Sequence, residues 1–276
     1  MAQRLPAGSA RLNAAVASRP PANPVPITAI VLTRDEAARI APCLAALAWA
    51  DDLLVIDSFS EDATARGAAS LGARVLQRAW TNFADQRNFA LDRAATEWVF
   101  FVDADETVPP ELAAEIRRRA GREPSVGYWI PRRNRILGKW LRGAGWYPDL
   151  QLRLFKRSAG RYAGDRPVHE VVRLDGPAGQ LESELLHEGA PNVRTLRRKQ
   201  ARYVAAEARG RLLRGEKARL RTLGLQPLRE FFRRLVALGG YRDGLTGVTL
   251  SALMAEHELM VCRRMRRLQK GGGEWT

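Results

Sequence analysis

A chain of 276 residues with 46% hydrophobic content buries a sizeable core and suits one large domain with an appendage. Its two cysteines, Cys43 and Cys262, exclude a disulfide framework and a cysteine-built zinc site, and no run approaches the ~20 apolar residues that span a bilayer. The formal charge of +15 is uneven: residues 1–193 hold 25 Lys and Arg against 23 Asp and Glu, and residues 194–276 hold 20 against 7. A nearly neutral body therefore precedes a basic tail that seeks phosphate or acidic lipid surfaces.

Residues 1–25 are rich in Pro, Ala and Ser without a signal peptide's apolar core, which reads as a loose, disordered leader and a cytoplasmic site of action. Ile27–Leu32 is an apolar, β-branched run expected to form a buried strand. Thr33 and Glu36 have capping-box spacing for a helix reaching about Leu47. A second strand covers Leu53–Ile56 and ends at Asp57. A helix over Glu61–Leu71 stops at Gly72, and Ala73–Gln77 is a third strand. A helix from about Asn82 to Ala95 leads into Trp98–Val102, the most apolar strand. Strands alternating with helices predict an α/β fold with a mostly parallel sheet, whose ligands sit beyond the carboxyl ends of the strands. Further strand candidates are Tyr128–Pro131, Leu150–Lys156 and Leu181–His187. Helical patterns then cover Val193–Leu213, Pro227–Leu238 and Gly247–Leu268. The expected organisation is leader 1–25, catalytic body 26–192 and basic helical extension 193–276.

The turn after the first strand is Thr-Arg-Asp-Glu, so the glycine loop of a dinucleotide fold is absent, as is a Walker-type Gly-Lys-Ser/Thr. A diphosphate is then best held through a divalent cation. Asp103 and Asp105 follow five apolar residues at a strand end, where a carboxylate pair places Mg2+ or Mn2+ against phosphate oxygens. The competing reading is an acidic turn capping the helix near Pro109-Pro110.

Residues 27–190 resemble a family 2 glycosyltransferase of the inverting GT-A type, similar to compact bacterial enzymes of the lipopolysaccharide inner core. The segments that carry the resemblance are TRDEAARIAPCLAAL, WADDLLVIDSFSEDAT, WTNFADQRNFAL, EWVFFVDADETVPPEL, GWYPDLQLRLFKR, VHE and LLHE, with PLREFFRRL and GYRDGLTG in the tail. Phe59 departs from it, standing where the family carries glycine. The resemblance implies a UDP-sugar donor, UDP-glucose by expectation, in a pocket lined by Thr33, Glu36, Asp57, Arg87, Asn88 and Asp103. It implies a metal on Asp103 and Asp105, with His187 as a further ligand. Inversion needs a carboxylate to take the acceptor proton; Glu170, beside His169, is the chosen base and Asp149 the rival.

Trp140, Trp146 and Tyr147 offer flat faces to an acceptor sugar, against core packing as the plainer role. Arg132, Arg133 and Arg135 offer charge to acceptor phosphates, in a lipid-linked or lipopolysaccharide-core saccharide. The tail alternates arginine with apolar residues, as at Phe231–Val236, which suits a helix peripheral on the inner face of the cytoplasmic membrane. Solvated helices or a dimer interface are the plainer readings, and no nucleic acid is expected, since residues 194–222 interleave only Tyr203 among their basic groups. A nucleotidyltransferase, or a basic binding protein with a degenerate site, is the alternative function.

Overall fold

The computed structural model describes residues 25–163 and 172–271, so all of the leader but its last residue, Val25, lies outside the described residues. Strands β1 (Ile27–Thr33), β2 (Asp52–Asp57), β3 (Arg74–Gln77) and β4 (Trp98–Asp103) alternate with helices α1 (Ala37–Ala45), α2 (Thr64–Ser70) and α3 (Phe83–Arg93). After β4 come β5 (Glu106–Thr107), α4 (Pro110–Arg119), β6 (Gly127–Ile136), β7 (Lys139–Trp140), β8 (Asp149–Lys156), β9 (Gly160–Tyr162), β10 (Val172–Leu174), β11 (Ala178–Gln180) and β12 (Leu185–Glu188). The main sheet runs β3-β2-β1-β4-β8-β6-β12-β5, with β7 and β11 pairing on β6. Its first four strands are parallel, β8 enters antiparallel to both β4 and β6, and β12 again runs parallel to β6.

Alternation along the strands divides two cores. Ile27, Ala29 and Val31 with Phe100 and Val102 pack on Ile40 and Leu44 of α1 and Leu112 and Ile116 of α4. Ile30 with Val99 and Phe101 faces the other way, onto Ala90 and Leu91 of α3 and onto Phe155. Burial on both faces explains why these strands read as unbroken apolar runs.

Two local expectations are corrected. The Thr33–Glu36 capping box does not form: Thr33 ends β1 with its hydroxyl on Asp57 Oδ1 (3.3 Å), and the Glu36 and Ala37 amides donate instead to Thr64 Oγ1 and Asp62 Oδ2. The stretch Leu181–His187 is not one strand. The Glu182 and Ser183 amides donate to the buried Glu115 carboxylate (2.8–3.2 Å), which draws the chain off the sheet until Leu185.

Three helices follow: α5 (Val193–Leu213), α6 (Leu220–Phe232) and α7 (Gly244–Gln269), with a π-helical turn at Arg233–Ala237 and a 3-10 turn at Gly240–Asp243. Helix α6 begins seven residues before Pro227, which the sequence pattern places at a helix start. The helices pack on the body: Leu250 and Leu253 share a core with Ile136, Leu141 and Leu196. The Asp243 carboxylate, fully buried, accepts from the Arg142 and Gly143 amides (2.9–3.1 Å), while Lys139 Nζ donates to the Asp243 carbonyl (2.8 Å). Arg234 donates to Ala144 O (2.7 Å) and the Ala144 amide to Leu238 O (2.8 Å). The approach is so close that a Cβ on Gly143 would collide with the Gly239 carbonyl; within the helical region itself, one on Gly247 would collide with that of Gly240.

Candidate active site

Adjacent carboxyl ends of β1, β2 and β4 bring three polar residues together. Thr33 pairs in register with Asp57, and Leu32 with Asp103. The Asp57 side chain is enclosed and shapes its own turn, accepting from the Ser60 amide (3.0 Å) and hydroxyl (2.5 Å), Thr33 and Gln77 Nε2 (3.3 Å). That turn puts Phe59 at φ 56°, half exposed, in the left-handed region that costs a side-chain-bearing residue about 1–2 kcal/mol. Glu36 lies at the start of α1 and accepts from Arg39 (2.9 Å).

From β4 inward, charges alternate through the sheet. The Asp103 carboxylate meets Arg153 (2.5 Å) and Arg87 (3.3 Å); burial pushes its pKa up, but the guanidiniums more than reverse this and hold it well below the usual range. Glu106 is buried, takes the Asp103 amide on one oxygen (2.9 Å) and receives Arg132 (3.0 Å) and Arg153 (3.2 Å) on the other. Arg132 continues to Asp149 (2.7 and 2.9 Å), which also receives Asn134 (3.2 Å) and Gln151 (2.7 Å). Burial raises the Asp149 pKa, and Arg132 with these donors brings it below the usual carboxylate value. A carboxylate so saturated is a weak proton acceptor. Glu170 and His169 lie outside the described residues.

The expected metal ligands are brought together in part. His187 on β12 faces Asp105, Nε2 to Oδ2 at 3.3 Å, whereas the Asp103 carboxylate is turned to its arginines. Among the described residues no three acidic, histidine or cysteine side chains converge as a full shell. The donor chemistry nevertheless fits a cation. Asn134 Nδ2 donates to Trp146 O (2.8 Å) and Asp149, leaving Asn134 Oδ1 to accept from His187 Nδ1 (2.6 Å). With Nδ1 taken up by Asn134, Nε2 is the ring atom turned to the Asp105 carboxylate, so the two groups would serve as ligands to one metal ion. A carboxylate and an imidazole held by an outer hydrogen bond suit Mg2+ or Mn2+.

Other expected residues turn elsewhere. Asn88 exchanges two hydrogen bonds with the Tyr162 backbone (both 3.0 Å) and pins β9, while Arg87 lies over the Tyr162 ring at 5.2 Å. Arg132 is directed inward, to Glu106 and Asp149. Arg133 meets Glu184 (3.4 Å) and Arg135 meets Glu188 (3.3 Å), and both guanidiniums lie over the half-buried Trp140 ring at 5.7 and 5.9 Å. Trp146, partly buried, packs against the core cluster of Ile136, Leu141 and Leu250, and the Tyr147 hydroxyl is bonded to Glu184. Asn134 and Arg153 escaped sequence reasoning. Their signal was the alternation Arg132/Asn134 and Asp149/Gln151/Arg153, polar groups two apart that line one face of two facing strands; Glu106, the last residue of the acidic turn, lies outside that alternation.

With this geometry in place, similarity to known proteins decides the family. The family model described as Glycosyl transferase family 2 matches residues 28–169, half of the chain and all four parallel strands. The chain is a family 2 glycosyltransferase. The transferase is 28% identical over 237 residues to the lipopolysaccharide core biosynthesis glycosyltransferase LpsC of Rhizobium meliloti (strain 1021), covering 81% of this chain and 85% of that one. An uncharacterized glycosyltransferase of Rickettsia felis is 37% identical over 91 residues, 33% of this chain and 32% of that protein. Among solved structures, mannosyltransferase PcManGT from Pyrobaculum calidifontis in complex with GDP-Man and Mn2+ superposes with TM-score 0.51 at 17% identity, over 92% of this chain and 77% of that one. That likeness establishes the glycosyltransferase's fold, which is GT-A.

Proposed function

We propose that this glycosyltransferase moves a hexose, glucose from UDP-glucose, with inversion onto a saccharide of the lipopolysaccharide core or another lipid-linked acceptor at the anionic inner face of the cytoplasmic membrane. The observation that carries the reading is the convergence of Asp105 with the Asn134-held His187 beside Asp103, at the strand ends where such a sheet takes its ligand. The acceptor class follows the name of the Rhizobium relative, which matches most of the chain.

Asp105 and His187 would hold Mg2+ or Mn2+, which when bound supplies positive charge to the departing diphosphate. Arg87 and Arg153 fix the Asp103 carboxylate in its ionised form, so that it can accept from a donor ribose. Thr33, Glu36 and Asp57 shape the two turns that frame the nucleotide. The acceptor oxygen attacks the anomeric carbon as the bond to the diphosphate breaks, and a carboxylate removes its proton. Glu170 is assigned as that base, because Asp149 is held by Arg132, Asn134 and Gln151. Trp140, with Arg133 and Arg135 over its ring, offers a polar-rimmed aromatic face to the acceptor.

The test is UDP-glucose turnover and thermal stabilisation with and without Mn2+. Asp105→Ala is expected to lower kcat/KM by about 100-fold and to abolish the metal's stabilising effect. If no nucleotide sugar stabilises the wild type with either cation, the reading fails.

A further inference from the structure

We propose that the outward face of α6 and the π-helical turn after it is the surface on which the protein lies against an anionic bilayer; this deepens, and rests on, the lipid-linked acceptor reading. No residue of α6 is buried. Leu225, Leu228, Phe232 and Val236 are 64%, 55%, 53% and 60% exposed. Their spacings of three and four residues keep them on one stripe. Arg221 and Arg229 share a shallow groove with the first three of these side chains. Four large apolar groups in one stripe form a patch that a monomeric soluble protein rarely leaves open to water.

The arginines select the occupant. A second copy of this chain on the same face would oppose like charges, in a tail holding 20 basic against 7 acidic residues. A nucleic acid would neutralise the arginines but leave the leucines and the phenylalanine in water. An acidic lipid surface answers both, with headgroup charge for Arg221 and Arg229 and an acyl boundary for the apolar stripe. No helix among the described residues is long and apolar enough to cross a membrane, so α6 lies on the surface. The docked face leads directly into Arg234, Leu238 and Asp243, which hold Lys139 of β7 and the 142–144 loop that follows Trp140.

The full chain is floated with vesicles of equal parts phosphatidylcholine and phosphatidylglycerol, and with phosphatidylcholine alone. Wild type is expected to float with the acidic vesicles only. Leu225→Asn/Leu228→Asn/Phe232→Asn and, separately, Arg221→Glu/Arg229→Glu are each expected to weaken that binding by about tenfold or more. Both variants should retain wild-type thermal midpoints and UDP-glucose hydrolysis, since the altered side chains face outward. Wild-type flotation by the asparagine variant overturns the proposal. So does a wild type that ignores acidic vesicles and instead dimerises in sedimentation, losing the dimer in the same variant. A chain that floats as expected but hydrolyses no nucleotide sugar supports the docking face and overturns the donor reading, so the two failures are distinct.

Discussion

Arg153 is the residue on which the buried charge of the site turns. It stands between Asp103 and Glu106, and Glu106 has no solvent to fall back on. Removing the cation leaves Asp103 to Arg87 alone and buried Glu106 to Arg132 alone, so two neighbouring carboxylates lose the charge they share, a loss costlier than the pair was worth. Arg153→Met is expected to cost about 3–5 kcal/mol, read by urea unfolding. Arg153→Lys should recover only part of it, because a single ammonium cannot span both acids as the guanidinium fork does. Asn134 works differently, on orientation. It fixes which imidazole nitrogen of His187 looks toward Asp105, and nothing in its sequence neighbours announces that. Asn134 and His187 lie on paired strands but 53 residues apart in the chain, and Arg153 and Asp103 are 50 apart. Strand-end acids are legible because their position relative to an apolar run is local; the partners that set their charge come from the far half of the sheet.

At the scale of elements, the strands buried on both faces were legible, because continuous apolar runs admit few other readings. Helix α5 likewise matches its pattern from Val193 to Leu213. The misreadings arose where a side chain captured backbone from a distant segment. Glu115 takes the amides that would have continued a strand through Glu182, and Asp62 with Thr64, at the start of α2, caps α1. Helices α5 and α7 are joined by a similar non-local cluster. Glu207 receives His257 (2.9 Å) and Arg211 (2.6 Å), and Arg211 also holds Glu258 (2.7 Å). The hydrogen bond from His257, then that from Arg211, push the Glu207 carboxyl down to about 2 against the opposing effect of burial. A depressed folded pKa stabilises above the ordinary value of 4.5 and ceases to do so as pH falls toward about 2. Glu207→Gln is therefore expected to be less stable than wild type at neutral pH by about 1 kcal/mol, allowing for solvent screening. Thermal unfolding of the two proteins should converge as pH drops below that ordinary value.

For the whole molecule, charge suggested a nearly neutral body and a basic tail, and side-chain and backbone contacts join the two. Leu250 and Leu253 complete a core that begins on β6, and two such leucines represent about 4 kcal/mol of burial. Deleting residues 225–276 is expected to lower the thermal midpoint and expose apolar surface to a hydrophobic dye; an unchanged midpoint would show a dispensable appendage. Composition could not reveal this attachment, because the Asp243 bonds and the Gly143–Gly239 contact depend on backbones meeting about a hundred residues apart. The Asp243 clamp has a consequence for acceptor choice. A transferase tethered by a flexible segment samples hydroxyls at many heights above a lipid surface. Here the turn that ends the arginine–leucine face is hydrogen-bonded to the loop beside Trp140, so their separation is a constant of the fold. On the membrane face proposed above, such a molecule would act as a ruler, and the sugar it extends would be the one whose hydroxyl stands at the measured height.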